Sequence, residues 1–251
     1  MKTIGILGGM SASSTQLYYS ELCRLTRDRL GGLHSPELLV RSLDFAKIER
    51  LQVQGAWSDA GRILNEEAKS LQKGGADLLI LATNTMHKLA DEMMEGVSIP
   101  IIHIADATAR AIQSADLQRP GLMATAFTME QMFYTDRLKS MGLMPVIPNQ
   151  SDREETHRII YEELCKDLTI DASKATYVAI AQRLKDAGAD CLILGCTEVG
   201  MLLNEKNVPM PVFDTTLIHC AAALDQALMG DKQVGRQRQP SWPVAPVEGR
   251  A

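Results

Sequence analysis

Short apolar runs alternate with stretches of helical spacing along most of the chain. Thr3 to Leu7 is a largely apolar run closed by Gly8-Gly9, which predicts a buried parallel strand. Ser14 to Leu30 sets Leu17, Tyr18, Leu22, Leu25 and Leu30 near one face and predicts a helix. The same reading places strands at Glu37 to Ser42, Asp77 to Ala82 and Pro100 to Ile104. Helices are predicted at Ser58 to Lys73 and from His87 to Met94. The second half repeats the plan, with strands at Gly121 to Thr125, Met144 to Ile147, Cys191 to Leu194 and Pro211 to Phe213. Its helices fall at Thr128 to Lys139, Arg153 to Leu168 and Lys174 to Ala187, with a closing helix from Leu217 to Met229. Such alternation implies an α/β fold, a parallel sheet with helices on both faces. From Gly230 onward periodicity stops and Pro240, Pro243 and Pro246 appear, so residues 230–251 are expected to be disordered, Trp242 among them.

The two halves also resemble each other. Gly75-Ala76-Asp77-Leu78-Leu79-Ile80-Leu81-Ala82-Thr83-Asn84 aligns without a gap to Gly188-Ala189-Asp190-Cys191-Leu192-Ile193-Leu194-Gly195-Cys196-Thr197. Ile4 to Gly9 aligns to Pro120 to Thr125, and Ile99 to Ile102 to Met210 to Phe213, in the same order. Three ordered matches make internal duplication the better explanation than chance likeness of strand patterns. The expectation is two similar parallel-sheet α/β domains related by a pseudo-twofold duplication. Residues 1–99 form the first, completed by the closing helix near 215–229, and residues 100–214 form the second.

Composition narrows the function. The chain has 251 residues, 45% hydrophobic and 23% charged, with a net charge of -5 and 4% aromatic. An acidic chain with no basic cluster is not expected to bind nucleic acid. No run approaches the roughly 18 apolar residues of a membrane span, so no membrane partner is expected. The start of the chain is too short in apolar length and too glycine-rich for a signal peptide, which makes the cytoplasm the expected compartment. Five cysteines in no CxxC or zinc spacing suggest unbridged thiols, most of them core fillers.

In open parallel sheets ligands sit beyond the carboxyl ends of the strands. Here those ends carry Gly8-Gly9-Met10-Ser11, Thr83-Asn84-Thr85, Thr125 and Cys196-Thr197-Glu198. Backbone N–H groups and small hydroxyls suit a carboxylate. The duplication would set Thr83 and Cys196 on opposite sides of a ligand in a cleft between the halves. That arrangement can move a proton at a stereocentre, one face losing it and the other supplying it.

Three motifs, Ile4 to Ser11 (IGILGGMS), Asn84 to His87 (NTMH) and Leu194 to Glu198 (LGCTE), resemble the aspartate/glutamate racemase family. The resemblance covers roughly Met1 to Met229. It implies a cofactor-independent isomerase, homodimeric, acting on an acidic amino acid. It also implies one catalytic cysteine per domain. The second matches Cys196; the first, directly before Asn-Thr, is Thr83 here. A thiol titrates at about 8.5 and can be tuned, whereas an alcohol supplies no standing base at neutral pH. The resemblance therefore makes Cys196 the base on the L enantiomer and Thr83 a weak partner on the opposite face. Asn84, Thr85 and Thr197 are the expected holders of the α-carboxylate and amine, with Met10, Ser11 and Thr125 on the same rim. Gln52 and Lys166 are candidates for the side-chain carboxylate, as are Arg50 and, in place of Lys166, Cys165.

Other residues draw plainer readings. His87 is expected to cap or pack the helix after Thr85, and His103 and His219 to be core or rim residues. Glu198 either orients Cys196 or serves as ordinary helix capping. No P-loop, dinucleotide fingerprint or metal cluster is present in the sequence, and no cofactor is expected. Loss of one cysteine leaves alternatives open. One is a one-cysteine decarboxylase or cis-trans isomerase of the same superfamily; another is an inactive amino-acid-binding protein.

Overall fold

A computed structural model describes residues 1–166 and 168–229; the tail expected to be disordered lies outside them. The first stretch of chain forms β1 (Ile4–Gly8), α1 (Ala12–Leu30), β2 (Leu38–Ser42), α2 (Phe45–Val53), α3 (Trp57–Lys73), β3 (Leu78–Leu81), α4 (Ala90–Met93) and α5 (Ile104–Ser114). There follow β4 (Pro120–Met123), α6 (Ala126–Glu130), α7 (Met132–Ser140), α8 (Gln150–Glu162), α9 (Asp171–Asp186), β5 (Cys191–Leu194), β6 (Val212–Asp214) and α10 (Thr215–Leu228). Short 3-10 helices stand at Thr85–Leu89, Leu164–Lys166 and Thr197–Met201.

The chain divides into two compact units. Among the described residues, one takes Met1–Ala107 and residues 216–229; the other takes Thr108–Thr215. The sequence-based boundary lay between 99 and 100. The structure keeps the following residues with the first unit, because Leu79 N–H donates to the Pro100 carbonyl (2.8 Å) and Ile102 N–H to that of Leu79 (2.9 Å).

In the first unit the strands run parallel in the order β2-β1-β3. Alternate side chains leave the sheet on opposite faces. Ile4, Ile6, Leu78, Ile80 and Ala82 meet Tyr18 and Leu22 of α1 and Cys220, Ala223, Leu224 and Ala227 of α10. Leu7, Leu79 and Leu81 meet Ile48 of α2, Ala60, Leu64 and Ala68 of α3, and Met86 and Leu89. The second unit has parallel order β4-β5-β6, with Met123, Leu192 and Leu194 packed on Ile159 and Ile160 of α8 and Tyr177, Ile180 and Leu184 of α9.

The internal repeat extends to strand register. Gly5 pairs with Leu79 and Gly121 with Leu192, as the aligned positions require. Ile101 bridges to Leu79 as Val212 pairs with Leu192. The repeated Gly-Ala-Asp has a distinct task for each residue. Gly75 and Gly188 leave their helices at φ +100 and +91, a region that suits glycine. Ala76 lies 2.9 Å, and Ala189 3.4 Å, from where a Cβ on Gly5 or Gly121 would stand, so small residues face each other there. Asp77 accepts Thr3 N–H (2.7 Å) and Asp190 accepts Arg119 N–H (3.0 Å), each tying the start of the neighbouring strand.

Some predicted elements differ. The Pro100 to Ile104 strand is a single bridge at Ile101, because helix α5 begins at Ile104, where His103 Nδ1 accepts Ala105 N–H (3.2 Å). Met144 to Ile147 likewise reduces to a bridge from Val146 to Gly121, with Pro148 following. The Thr128 to Lys139 helix is two, broken at Gln131, whose ψ of 134 is extended. Helices α2 and α5 have no counterpart in the sequence reading. Among the described residues no helix is long and apolar enough to cross a membrane.

Candidate active site

In the first unit the rim begins where β1 ends. Gly9 has φ +87, and a Cβ there would lie 2.2 Å from the Leu43 carbonyl oxygen, so only glycine fits. Gly9 N–H donates to Thr15 Oγ1 at 2.7 Å. The Ser11 hydroxyl caps α1 by accepting Ser14 N–H at 3.2 Å. Ser14 Oγ in turn donates to the Ala82 carbonyl at 3.1 Å. The first turn of α1 is thereby tied to the residue preceding Thr83.

Thr83 is partly buried; Asn84 and Thr85 behind it are buried. His87 Nδ1 lies 2.7 Å from the Thr83 carbonyl, and His87 Nε2 accepts Ile104 N–H at 3.2 Å. Since Nε2 accepts, Nδ1 carries the proton and donates to Thr83. His87 therefore fixes the Thr83 backbone and caps α5; of the two roles expected of it, capping or packing the helix after Thr85, it is buried within that 3-10 helix. Helix α2 brings Gln52 to the same neighbourhood, its Nε2 donating to Met86 Sδ at 2.9 Å. Met10 and Met86 share one buried cluster. Gln52 Oε1 is buried without a hydrogen-bond partner among the described residues. A buried unpaired acceptor costs about 1–3 kcal/mol, which an incoming N–H donor would relieve. Arg50, on the same helix, is exposed.

In the second unit Thr125 caps α6, accepting Thr128 N–H at 3.4 Å, and His157 Nδ1 accepts Ala126 N–H at 3.2 Å. Past β5 comes Gly195, where a Cβ would stand 2.8 Å from Ala124 Cβ and 2.9 Å from Leu122 Cδ1. Cys196 follows in extended conformation (φ -146, ψ 137) and leads into the 3-10 helix that opens with Thr197. The Cys196 thiol donates to Glu198 Oε2 at 3.0 Å, and Glu198 is buried. The 3-10 helix Leu164–Lys166 packs against Thr197–Met201. Cys165 and Cys196 both pack on one hydrophobic cluster, while Lys166 is exposed.

The electrostatics of Cys196 run against a resting thiolate. Burial pushes its pKa well above the ordinary thiol range, and the charge of Glu198 pushes further. Cys196 therefore rests as a thiol that donates to a carboxylate. Cys191 also has its pKa raised, by burial first and by its bond with Asp190, and it lies wholly inside β5.

The structure thus groups Met10, Ser11, Gln52, Thr83, Asn84 and Thr85 at the strand ends of the first unit. It groups Thr125, Cys196 and Thr197, with the Lys166 segment, at those of the second. The hydroxyls of Ser11 and Thr125 are already engaged as helix caps. Sequence reasoning missed His157, which nothing in its local pattern marks, and left Glu198 undecided between orienting Cys196 and capping. The two-residue offset of a carboxylate from a cysteine was its available signal.

A model of the Asp/Glu/Hydantoin racemase family matches residues 7–223. A candidate Asp/Glu racemase from Yersinia pestis is similar in structure at TM-score 0.86 and 43% identity, over 91% of this chain and 100% of that one. An aspartate racemase homologue from Pyrococcus horikoshii gives TM-score 0.80 and 34% identity, over 90% of this chain and 99% of the other. The broad specificity amino-acid racemase RacX of Bacillus subtilis is 21% identical over 233 residues, 85% of this chain and 92% of that protein.

Proposed function

Because the chain belongs to the Asp/Glu/Hydantoin racemase family, we propose that this amino-acid racemase acts on aspartate or glutamate without a cofactor, Cys196 serving the L enantiomer. The observation that carries the reading is Cys196 at the carboxyl end of β5, at the position the repeat gives to Thr83 after β3. Removing an α-hydrogen leaves an electron pair that spreads onto the carboxylate as an enediolate. Donors at the strand ends, among them Asn84 and Thr197, hold that charge as it develops. Gln52, with its unpaired Oε1, suits the substrate ammonium or another donor. Lys166 supplies a cation for the side-chain carboxylate, and Met10, Ser11, Thr85 and Thr125 shape the rim.

Thr83 cannot abstract the α-hydrogen as a thiolate does. It serves the opposite face as a hydroxyl donor or as the anchor of a water. The expected behaviour is ready α-hydrogen exchange from the L enantiomer and slow inversion. In achiral solvent the two enantiomers are equally stable, so kcat/KM for inversion is equal in both directions; asymmetry appears in kcat and KM separately, or as exchange without inversion.

Incubation of both enantiomers of aspartate and glutamate in D2O tests this. Fast α-deuteration of the L acid with little D product is the expected result. Equal exchange and inversion from both enantiomers would sink the assigned division of labour. No exchange with any of the four substrates would sink the racemase reading for these acids.

A further inference from the structure

Under the reading above, an acidic substrate brings a side-chain carboxylate that something must recognise. Lys166 is exposed, and an ammonium on a flexible stem gives charge with little direction. His157 of α8 stands in a different setting. Its Nδ1 accepts Ala126 N–H at 3.2 Å, one residue past the rim residue Thr125. Because Nδ1 accepts, the neutral ring carries its proton on Nε2. Burial lowers the pKa of His157 and favours that neutral ring, while the charge of Glu130 acts the other way. Two aromatic rings fix where the Nε2–H points: Phe127 stands edge-on with centroids 5.8 Å apart, and Tyr161 is tilted at 4.6 Å. The residue is partly exposed, and among the described residues Nε2 has no hydrogen-bond partner. The charges around it are engaged elsewhere. Arg153 Nε donates to Glu130 of α6 at 2.9 Å, and Arg153 Nη1 to the Pro148 carbonyl at 2.8 Å. Tyr161 follows His157 by one turn of α8, and Tyr161 and Cys165 pack on the hydrophobic cluster that also seats Cys196. That cluster includes Met123 of β4 and Leu194 of β5, so His157 belongs to the wall that leads from one strand end to the thiol after the other.

We propose that His157 is a specificity-determining residue whose Nε2–H donates to the side-chain carboxylate of the bound amino acid. The proposal rests on the racemase reading, in which Asn84 and Thr197 already serve the α-carboxylate. A ring tied at Nδ1 and held between two aromatic side chains has little freedom left to lose, so its bond to a ligand is made at small entropic cost. A hydrogen bond to an ionised acceptor is also roughly twice as strong as one to a neutral group. The two ring nitrogens divide the work. Nδ1 serves the fold through Ala126, and Nε2 serves the ligand, so substitutions that keep one function and drop the other separate them.

His157→Asn keeps an acceptor near the Nδ1 position and has no atom at Nε2; His157→Gln places an amide N–H near Nε2 and gives up the bond to Ala126. Binding of L-aspartate and L-glutamate to the full-length wild type and both variants is measured by calorimetry. His157→Asn is expected to bind the better of the two acids about tenfold more weakly than the wild type, and His157→Gln to recover most of that loss. In α-deuteration the Asn variant should change KM more than kcat. L-Alanine, whose side chain has no acceptor, should bind the two variants alike or not at all. Equal affinities in all three proteins, equal losses in both variants, or a larger loss in His157→Gln would overturn the proposal, the last by showing that the bond to Ala126 is what matters. A tenfold preference of His157→Gln over His157→Asn for alanine as well would put His157 on the α-carboxylate and overturn it too. If His157→Asn does not fold, proton–nitrogen NMR of the wild-type imidazoles decides: saturating L-glutamate or L-aspartate should move the Nε2–H signal that is absent from His157→Gln, and an unmoved signal overturns the proposal. A wild type that binds an acid with the expected order of variants yet exchanges no α-hydrogen upholds His157 and defeats the racemase reading. A wild type that exchanges while both variants keep its affinity does the reverse.

Discussion

His219 and Tyr18 share a buried hydrogen bond, the Tyr18 hydroxyl lying 2.7 Å from His219 Nδ1. His219 Nε2 lies 2.6 Å from the Ile102 carbonyl, so Nε2 carries the proton and Nδ1 accepts from Tyr18. The ring of His87 sits beside those of His219 and His103, at 5.7 and 4.5 Å. Three imidazoles thus gather behind the strand end that carries Thr83.

Acid should unfold this arrangement through His219. Burial lowers its pKa from 6.5 to about 4. The folded chain favours the neutral ring, so the unfolded chain binds the proton first on acidification. The stability concerned is present above the unfolded pKa and is lost as pH falls from about 6.5 towards 4, a change of about 3 kcal/mol. Urea midpoints measured across that window should drop, and His219→Gln should lack this part of the drop. An identical pH dependence in the variant would remove His219 as its source.

Cys196→Ser should abolish turnover, by at least about a hundredfold, with melting temperature little changed. Thr83→Cys should raise turnover of the D enantiomer, and kcat/KM should rise equally in both directions because the equilibrium does not change. A folded Thr83→Cys protein with unaltered D turnover would mean that Thr83 is not the missing acid–base group.

His87→Ala removes two backbone partners at once, the Thr83 carbonyl and Ile104 N–H. A loss of about 1–3 kcal/mol is expected from leaving buried groups unpaired. Thermal denaturation checks the stability. A fall in kcat exceeding any change in KM would show that the Thr83 backbone, and not binding alone, depends on the ring.

Gly9→Ala should be costly, on the order of 2 kcal/mol or more, because strain at φ +87 adds to a contact with Leu43 backbone. Gly31→Ala offers the comparison: Gly31 has φ +75 but nothing within 4 Å of a Cβ. Gly31→Ala should lose less, and equal losses in chemical denaturation would show that the Leu43 contact yields freely.

Much of the architecture is legible because certain residues have one possible use. Gly75-Ala76-Asp77 and its copy at Gly188-Ala189-Asp190 announce a helix exit, a close packing point and an anchor for the adjoining strand. Helix α2 hides because only Ile48 and Gln52 of it are buried. A single i, i+4 pair, with one polar member, carries almost no periodic signal. Helix α5 hides for another reason: much of its buried face is alanine, Ala105, Ala107 and Ala109, which contrasts weakly with polar neighbours. The candidate site positions follow from strand ends and resemblance, but the protonation state of Cys196 does not. It depends on burial and on where Glu198 points, which no local pattern encodes.

The discontinuous first unit has a consequence for the order of synthesis. Its sheet face of Ile4, Ile6, Leu78 and Ile80 is covered partly by Cys220, Ala223, Leu224 and Ala227 of α10. A ribosome makes those strands long before that helix, and the whole of Thr108–Thr215 comes between. The nascent chain therefore carries a half-roofed apolar sheet while the second unit is being made, and α10, made after that unit, closes the one begun before it.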